Sequence, residues 1–448
     1  MKLLKFIGKQ IHGYIDVDIS FNDDISILIG GNGSGKTTAL KLMQALISPS
    51  FEELITIDFK FISLEFIHRK SSASIECRKD DEYIRLRSSQ TEEELIIDNI
   101  DNSEYEYLLN NDSNLLQEKI QELPLKYRRH PVIEYIVKLS SPIFLGLERR
   151  IEISDIDERK LYRNKPIYSE SYSKAAMNRR LYSGNLSSSL YDAQVLISDF
   201  YRKLKRRDDA NLLKMKEELL LSSFKYREFD MIAFDQSMKN WNRKRDLLNK
   251  KDEVLEVLAK IEGERTVLTK ELALFFDRIE KLLQSENTKE DDINLELIIN
   301  MTQIDKIFEL LDIVQKHKET TDRMYSNINN FIHIINKFFI DSDKTIELDS
   351  LGKIIIRRPN RKSCPVTSLS SGERQLLVIF AHAFFNKYNA NEKVFIIDEP
   401  ELSLHLRWQQ IFIETIVENC PKTQFVMATH SPDIVDDYEE MVNNEWRC

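Results

Sequence analysis

The run Gly30-Gly31-Asn32-Gly33-Ser34-Gly35-Lys36-Thr37 constrains this chain more than any other stretch of it. It fits the pattern G-x4-G-K-[ST], and its flanks fit as well. Ile25 to Ile29 (Ile-Ser-Ile-Leu-Ile) reads as a buried strand, and Thr37 to Leu46 as a helix. A strand, loop and helix in that order can gather backbone N–H groups at a helix N-terminus, where the dipole favours an anion. Gly30, Asn32, Gly33, Ser34, Gly35 and Thr38 are the expected cradle for phosphate groups. Lys36 is expected to neutralise the β- and γ-phosphates, and the Thr37 hydroxyl to hold a magnesium ion. With glycine at about 7% of residues, chance would give such a match in only about one or two chains per hundred of this length.

The complementary pieces lie at the other end. Val394 to Ile397 is an apolar run that ends in Asp398-Glu399. A buried strand would thus emit two carboxylates at its C-terminal end, the edge at which α/β sheets bind ligands. Asp398 is expected to hold the magnesium through water, and Glu399 to polarise an attacking water. Alone, such a strand end is an ordinary strand-to-turn boundary. Beside a phosphate loop it is the second half of a nucleotide site. Almost two-thirds of the chain, residues 51–344, lies between the two end regions that carry these pieces, so the ends must fold together and the middle is an insertion.

Between them comes Leu369-Ser370-Ser371-Gly372-Glu373-Arg374-Gln375. Ser370, Ser371 and Gly372 precede an apolar helix (Leu376 to Phe385) and would offer hydroxyls and free N–H groups at its N-terminus. Glu373, three residues after Ser370, would complete a capping box, and the two readings are compatible. This segment resembles the signature motif of ABC-type ATPases, in the S-S-G-E form of their repair and SMC-like branch. Glu401-Leu402-Ser403-Leu404-His405 follows the carboxylates where that family has its subunit-contact loop. His430, after a second buried strand (Gln424 to Ala428), stands where the family has a γ-phosphate-sensing histidine.

Together the matches cover roughly residues 1–50 and 345–435. The resemblance implies an α/β fold: an ABC-type P-loop ATPase head, with a mixed sheet, flanking helices and an antiparallel β subdomain, carrying a large α-helical, coiled-coil-like insertion. It implies ATP and Mg²⁺ as cofactors, and Glu399, His430 and Lys36 as the catalytic set. It also implies a head-to-head homodimer or higher homo-oligomer, in which Ser370, Ser371 and Gly372 bind the γ-phosphate of ATP held by a second subunit. One family feature is missing. No convincing glutamine follows the first sheet to act as a switch, and Gln90 is a poor candidate.

The expected domains are an N-terminal lobe of the head (1–150), a basic linker with helical insertion (151–343) and a C-terminal lobe (344–448). Residues 2–21 alternate as two strands around His12-Gly13, and residues 57–67 and 73–87 read as a hairpin. Pro142 to Arg149 reads as a core strand leading out to the insertion, after which Arg149 or Arg150 would face either the nucleotide or solvent. From about 190 to 340 the pattern is helical. Leu247, Val254, Leu258, Ile261, Leu268, Leu272, Phe275, Ile279 and Leu282 keep a heptad register, interrupted at Lys251 and Arg265. A helix over 247–283 would be about 55 Å long at about 1.5 Å per residue. Ser285 to Thr288 would turn it, and Ile293 to Val314 would return antiparallel, either as a short arm or as a plain helical subdomain.

Composition sets the remaining bounds. A hydrophobic content of 42% with 31% charged residues is globular. No apolar run reaches the roughly 18–20 residues needed to cross a bilayer, and no signal peptide opens the chain, so no membrane role is expected. The four scattered cysteines contain no C-x-x-C pair, which suggests a reduced, cytoplasmic setting and argues against a zinc hook. A net charge of −10 gives no overall pull toward nucleic acid. Residues 159–207 depart from that average, with twelve basic residues against three acidic ones, a surplus of nine, and six interleaved tyrosines. The stretch could grip a phosphate backbone, dock an acidic partner, or simply be solvated.

The chain stops eighteen residues after His430, with neither a nuclease signature nor the acidic cluster of a topoisomerase-primase domain. It is therefore expected to supply an ATP-driven switch and to leave damaging chemistry to a separate nuclease-type effector subunit. That architecture resembles the ATPase subunit of bacterial Septu-type anti-phage systems, including their retron-associated forms. Two rival classes are a DNA-repair or recombination ATPase that clamps DNA itself, and a mainly structural scaffold locked by ATP. The size of the helical insertion argues against a transporter ATPase.

Overall fold

Alternation of apolar and polar residues builds the first sheet. In β1 (Lys2–Ile11) and β2 (Ile15–Ser20), Leu3, Phe6 and Ile11 pack inward opposite Ile15, Val17 and Ile19. The two pair antiparallel around the His12-Gly13 turn, as the alternation predicts. The structure is a computed structural model that describes residues 1–31, 33–48, 51–99, 126–139, 142–146, 151–153, 185–224, 295–359, 363–385 and 393–435, with a few isolated positions and two short strands near the C-terminus.

After β3 (Ile25–Ile29), α1 (Lys36–Ile47) buries Leu40, Leu42, Met43 and Leu46. The short α2 (Glu52–Thr56) leads to β4 (Phe61–His68), β5 (Ser71–Lys79), β6 (Tyr83–Ser88) and β7 (Leu95–Asp98). The expected hairpin over 57–67 and 73–87 is thus three strands, not two. Asp80 is the reason: its Oδ1 accepts the N–H groups of Glu82 (3.1 Å) and Tyr83 (2.7 Å), closing a turn in mid-run. The first strand also starts later than expected, because the backbone ahead of it serves other partners. His12 donates its N–H to Asp58 O, and the Lys79 ammonium donates to Ile55 O and Ile57 O.

Next come α3 (Pro131–Lys138), β8 (Ile143–Leu145) and β9 (Ile151–Ile153), then two long helices, α4 (Asn185–Phe224) and α5 (Leu295–Phe339). A small antiparallel sheet of β10 (Thr345–Leu348), β11 (Ile354–Arg357) and β12 (Ser363–Cys364) precedes α6 (Ser371–Phe385). The chain ends with β13 (Lys393–Asp398), α7 (Leu406–Asn419), β14 (Thr423–Thr429), α8 (Pro432–Val435), β15 (Val442–Asn443) and β16 (Trp446–Arg447). Arg149, Arg150, the heptad run over 247–283 as a continuous helix, and the turn at 285–288 lie outside the described residues.

Two larger sheets share the head. The antiparallel one runs β16-β2-β1-β4-β5-β6-β7; the mixed one runs β15-β3-β14-β13-β8-β9. In the mixed sheet only β9 is antiparallel to its neighbour. Its central strands β13 and β14 are apolar almost throughout, as burial on both faces requires. The two ends of the chain are joined side by side here, with Thr429 opposite Ile29 and Ala428 opposite Asp398. Gln424 stitches the join, accepting from Leu3 N–H (2.7 Å) and donating to Leu3 O and Asn22 O (2.9 and 2.8 Å). This is the α/β P-loop head, with an antiparallel β subdomain, that the motifs predict.

The chain divides into two compact units, Met1–Asp199 with Phe331–Cys448, and Phe200–Asn330. Within the first, the C-terminal end of α5 packs on α6 and α7 through aromatic rings. Phe331 meets Phe385 edge-on at 4.9 Å between centroids, and Phe338 meets Phe380 and Trp408 at 5.6 and 6.1 Å. Such pairs add about 0.5–1.5 kcal/mol each beyond their buried area. The second unit holds α4 to α5 with a polar cluster: the hydroxyls of Thr321 and Tyr325 donate to Asp208 (3.2 and 3.3 Å). Among the described residues no helix is long and apolar enough to cross a membrane.

Candidate nucleotide site

Three parallel strands, β3, β14 and β13, end on one edge of the mixed sheet, and each carries a different part of the site past that edge. After β3 the chain turns through the glycine loop. Gly33 and Gly35 take φ of 79° and 87°, a backbone region that side chains strongly disfavour. Helix α1 then starts at Gly35 with no side-chain cap, so its first amides are left for an anion. Lys36 is 5% exposed, and its ammonium donates to Gly30 O (2.7 Å), Gly31 O (3.1 Å) and His430 Nε2 (3.0 Å). An ammonium has no lone pair, so this ring nitrogen of His430 is the acceptor. Burial pulls the Lys36 pKa down, while Asp398, Glu399 and Glu401 hold it up.

The carboxylates at the end of β13 divide their work. Asp398 is 4% exposed, and neither of its carboxylate oxygens has a hydrogen-bond partner among the described residues. Burial pushes its carboxyl above the usual range; the nearby Thr37 hydroxyl and Lys36 oppose this, and Glu399 and Glu401 add to it. Two unsatisfied carboxylate oxygens beside a hydroxyl, with further carboxylates near, form a donor set suited to a hard, oxygen-seeking cation. Asp398 and Thr37 would hold Mg²⁺ here.

Glu399 stands one residue further out, with Oε1 3.5 Å from His430 Nε2. Its φ of 50° lies in the left-handed region, held by its N–H donating to Ala428 O at 2.8 Å. Strain of this kind persists only where the surroundings over-determine it, and it clusters at working sites.

A cavity of about 460 Å³ is lined by Gly33, Ser34, Gly35, Lys36, Thr37 and Thr38, by Glu399 and His430, and by His12, Tyr14 and Ile15. Gly30 lies beneath Lys36, and Asn32 is outside the described residues. His12 and Tyr14 are additions that sequence reading missed. The sequence marks His12 only as part of a turn and does not single out Tyr14, although a tyrosine 69% exposed beside a phosphate loop offers a ring face. Gln90 sits exposed in a turn of the antiparallel sheet and is not among the cavity's lining residues.

Ser370, Ser371 and Gly372 do not line this cavity. The capping box is formed, with Ser370 N–H donating to Glu373 Oε2 (2.7 Å) and Glu373 N–H to Ser370 Oγ (3.3 Å). Lys344 pairs with the buried Glu373 at 2.8 Å, which leaves that carboxylate committed to structure. Both serines are exposed, but Gly372 is buried against the loop after β13. A Cβ on Gly372 would fall 2.4 Å from Ser403 O, so glycine serves close backbone approach there as well as any N–H it offers.

A buried lysine inside a glycine loop, a carboxylate pair of which the first is buried, and a histidine at the ends of adjacent parallel strands define a P-loop nucleotide-binding ATPase. A family model described as an AAA ATPase domain matches residues 1–435, and the chain belongs to that family. It is similar to "Retron Ec83 probable ATPase" of Escherichia coli, 25% identical over 195 residues, which are 36% of this chain and 36% of the relative. It is also similar to "Retron Vc95 probable ATPase" of Vibrio cholerae serotype O1 biovar El Tor, 32% identical over 103 residues, 21% of this chain and 20% of the relative. The chain thus matches about a third and a fifth of the length of these relatives. Among solved structures it aligns with the Smc head domain with an extended coiled coil of Pyrococcus furiosus at 13% identity and a TM-score of 0.39, covering 97% of this chain and 91% of that one. The Smc head domain with a coiled coil and joint of Pyrococcus yayanosii aligns at 13% and 0.40, covering 97% and 93%.

Proposed function

We propose that this chain binds ATP and Mg²⁺ in the cavity at Lys36, hydrolyses the nucleotide when two copies close on it, and thereby controls a separate nuclease-type effector in bacterial anti-phage defence. The observation that carries the reading is the meeting of Lys36, His430 and Glu399 within 3.5 Å across almost the whole sequence. Lys36 and the α1 amides bind the phosphates. Bound Mg²⁺ supplies charge neutralisation at the phosphate oxygens. Glu399 accepts a proton from the water that attacks the γ-phosphorus, while the bond to the β-phosphate oxygen breaks and ADP leaves. His430 accepts from Lys36 and stands beside Glu399 at the end of the adjacent strand.

Ser371 and Gly372 do not line this chain's own cavity, which is compatible with their meeting the nucleotide of a second copy. The likeness to two probable retron ATPases supports the ATPase part of this reading and agrees with the resemblance to retron-associated defence ATPases. A second reading, in which the chain grips nucleic acid itself, is favoured by one feature: Lys203, Arg206 and Arg207 are all exposed on α4.

The test is Glu399→Gln. It should bind ATP, hydrolyse it about 10²–10⁴-fold more slowly, and accumulate closed dimers by size exclusion. Turnover at the wild-type rate by that variant would remove Glu399 from the reaction.

A further inference from the structure

We infer that Glu401 is a positioning residue that sets the place of His430, and through it of Lys36 and Glu399. The inference rests on the reading of this cavity as an ATPase site. Strand β14 ends at Thr429, so the amides of His430 and Ser431 leave the sheet ladder and need other acceptors. Both donate to one oxygen, Glu401 Oε1, at 2.7 and 3.2 Å, and the Ser431 amide shares its proton with Thr429 Oγ1 at 3.0 Å, so the His430 amide is the one that depends on Glu401. Charge-assisted bonds of this kind are short and directional.

Glu401 can play this part because its own backbone is fixed on the neighbouring strand's turn. Leu402 N–H donates to Glu399 O (3.1 Å), and Leu404 N–H to Glu401 O (2.8 Å), two residues beyond the carboxylates of β13. One side chain therefore braces the end of β14 against the end of β13, the two strand ends whose side chains meet at 3.5 Å. Ser431 extends the brace, its hydroxyl donating to Gln409 Oε1 (2.7 Å), while Gln409 Nε2 holds Leu404 O (2.9 Å). Glu401 does not line the cavity, so it acts through His430 and not on the nucleotide.

The acceptor role and the charge role separate by substitution. Glu401→Gln keeps an oxygen at the same reach and removes the charge. Glu401→Asp keeps the charge and withdraws the oxygen by one methylene. If Glu401 positions, Glu401→Asp should lose about 10–100-fold in kcat, the scale of a displacement near 1 Å. Its KM for ATP should stay within about threefold of wild type, and Glu401→Gln should exceed it in kcat by about tenfold. In a double-mutant cycle, Glu401→Asp on a His430→Ala background should cost little further in kcat, because the backbone amides stay braced but the imidazole they carry into place is gone.

The opposite order, with Glu401→Asp faster than Glu401→Gln, would overturn the inference, as would additive losses in the cycle. Glu399→Gln run in the same assay keeps the two readings apart. If it turns over like wild type, the ATPase reading of the site falls. If it stalls while Glu401→Asp retains wild-type kcat, only the role of Glu401 falls.

Discussion

Asp398 is the place where function and stability pull in opposite directions, and Asp398→Asn measures the pull. The carboxylate is 4% exposed with both oxygens unpartnered among the described residues, and Glu399 and Glu401 stand near it. Leaving a buried polar group unsatisfied costs about 1–3 kcal/mol, and more when it is charged. The amide has nearly the same shape and no charge, so the metal-free variant should be more stable by about 1–2 kcal/mol at neutral pH. At about 2–4 °C per kcal/mol for a domain of 150–250 residues, and less for a larger one, the midpoint should rise by about 2–4 °C.

The sign follows from linkage. The folded-state pKa of Asp398 is raised above its unfolded value, so the protonated group contributes stability below the unfolded value of about 3.9, and that contribution is lost as pH rises through the folded pKa. The advantage of asparagine should therefore grow as pH rises through the folded pKa, and be smaller at pH 4 than at pH 8. Thermal unfolding in EDTA at both pH values tests this, with a second series in MgCl2 and ATP. There the order should reverse, because wild type gains from the ligand by mass action and the variant, lacking the carboxylate, gains little. A variant that melts below wild type at pH 8 in EDTA would refute the argument that Asp398 is an unpaired buried charge awaiting a cation.

Gly372→Ala places a methyl 2.4 Å from Ser403 O, a backbone atom that cannot rotate away. Overpacking of this kind costs about 1–3 kcal/mol, visible as a lower urea midpoint; an unchanged midpoint would mean that α6 and the turn after β13 can slide apart freely. Changing Arg202, Lys203, Arg206 and Arg207 of α4 to Glu should abolish low-salt filter binding to duplex and single strands if this helix grips a phosphate backbone. Binding that survives the charge reversal would dismiss that surface as a nucleic-acid contact.

The motifs were legible because each is local. A glycine loop needs its residues in a row, and a buried parallel strand must be apolar on both faces, so Gly30 to Thr37 and Val394 to Asp398 announce themselves without the fold. The antiparallel strands were legible less well. Within residues 73–87 the inward positions shift phase, from Ala73, Ile75 and Cys77 to Ile84 and Leu86, across the charged Lys79-Asp80-Asp81-Glu82, and the side chain of Asp80 closes the turn there. Gly372 shows a different blindness: sequence offers it as an anion-binding N–H, while its contact with Ser403 depends on how α6 approaches a turn thirty residues later.

Glu401 was the least legible of all. In sequence it is one more acid after Asp398 and Glu399, on a segment whose place in the family suggested a neighbouring subunit. What turns it inward is the pairing of β13 with β14, which sets Ala428 opposite Asp398 and so brings the amides of His430 and Ser431 within reach of its carboxylate. Its neighbours Leu402, Ser403 and His405 are exposed on the same turn. If two copies close as proposed, a turn that braces its own histidine with one residue and exposes the next few would carry that closure to the alignment of His430. That is why kcat, more than nucleotide affinity, is the quantity in which changes to this turn should be read.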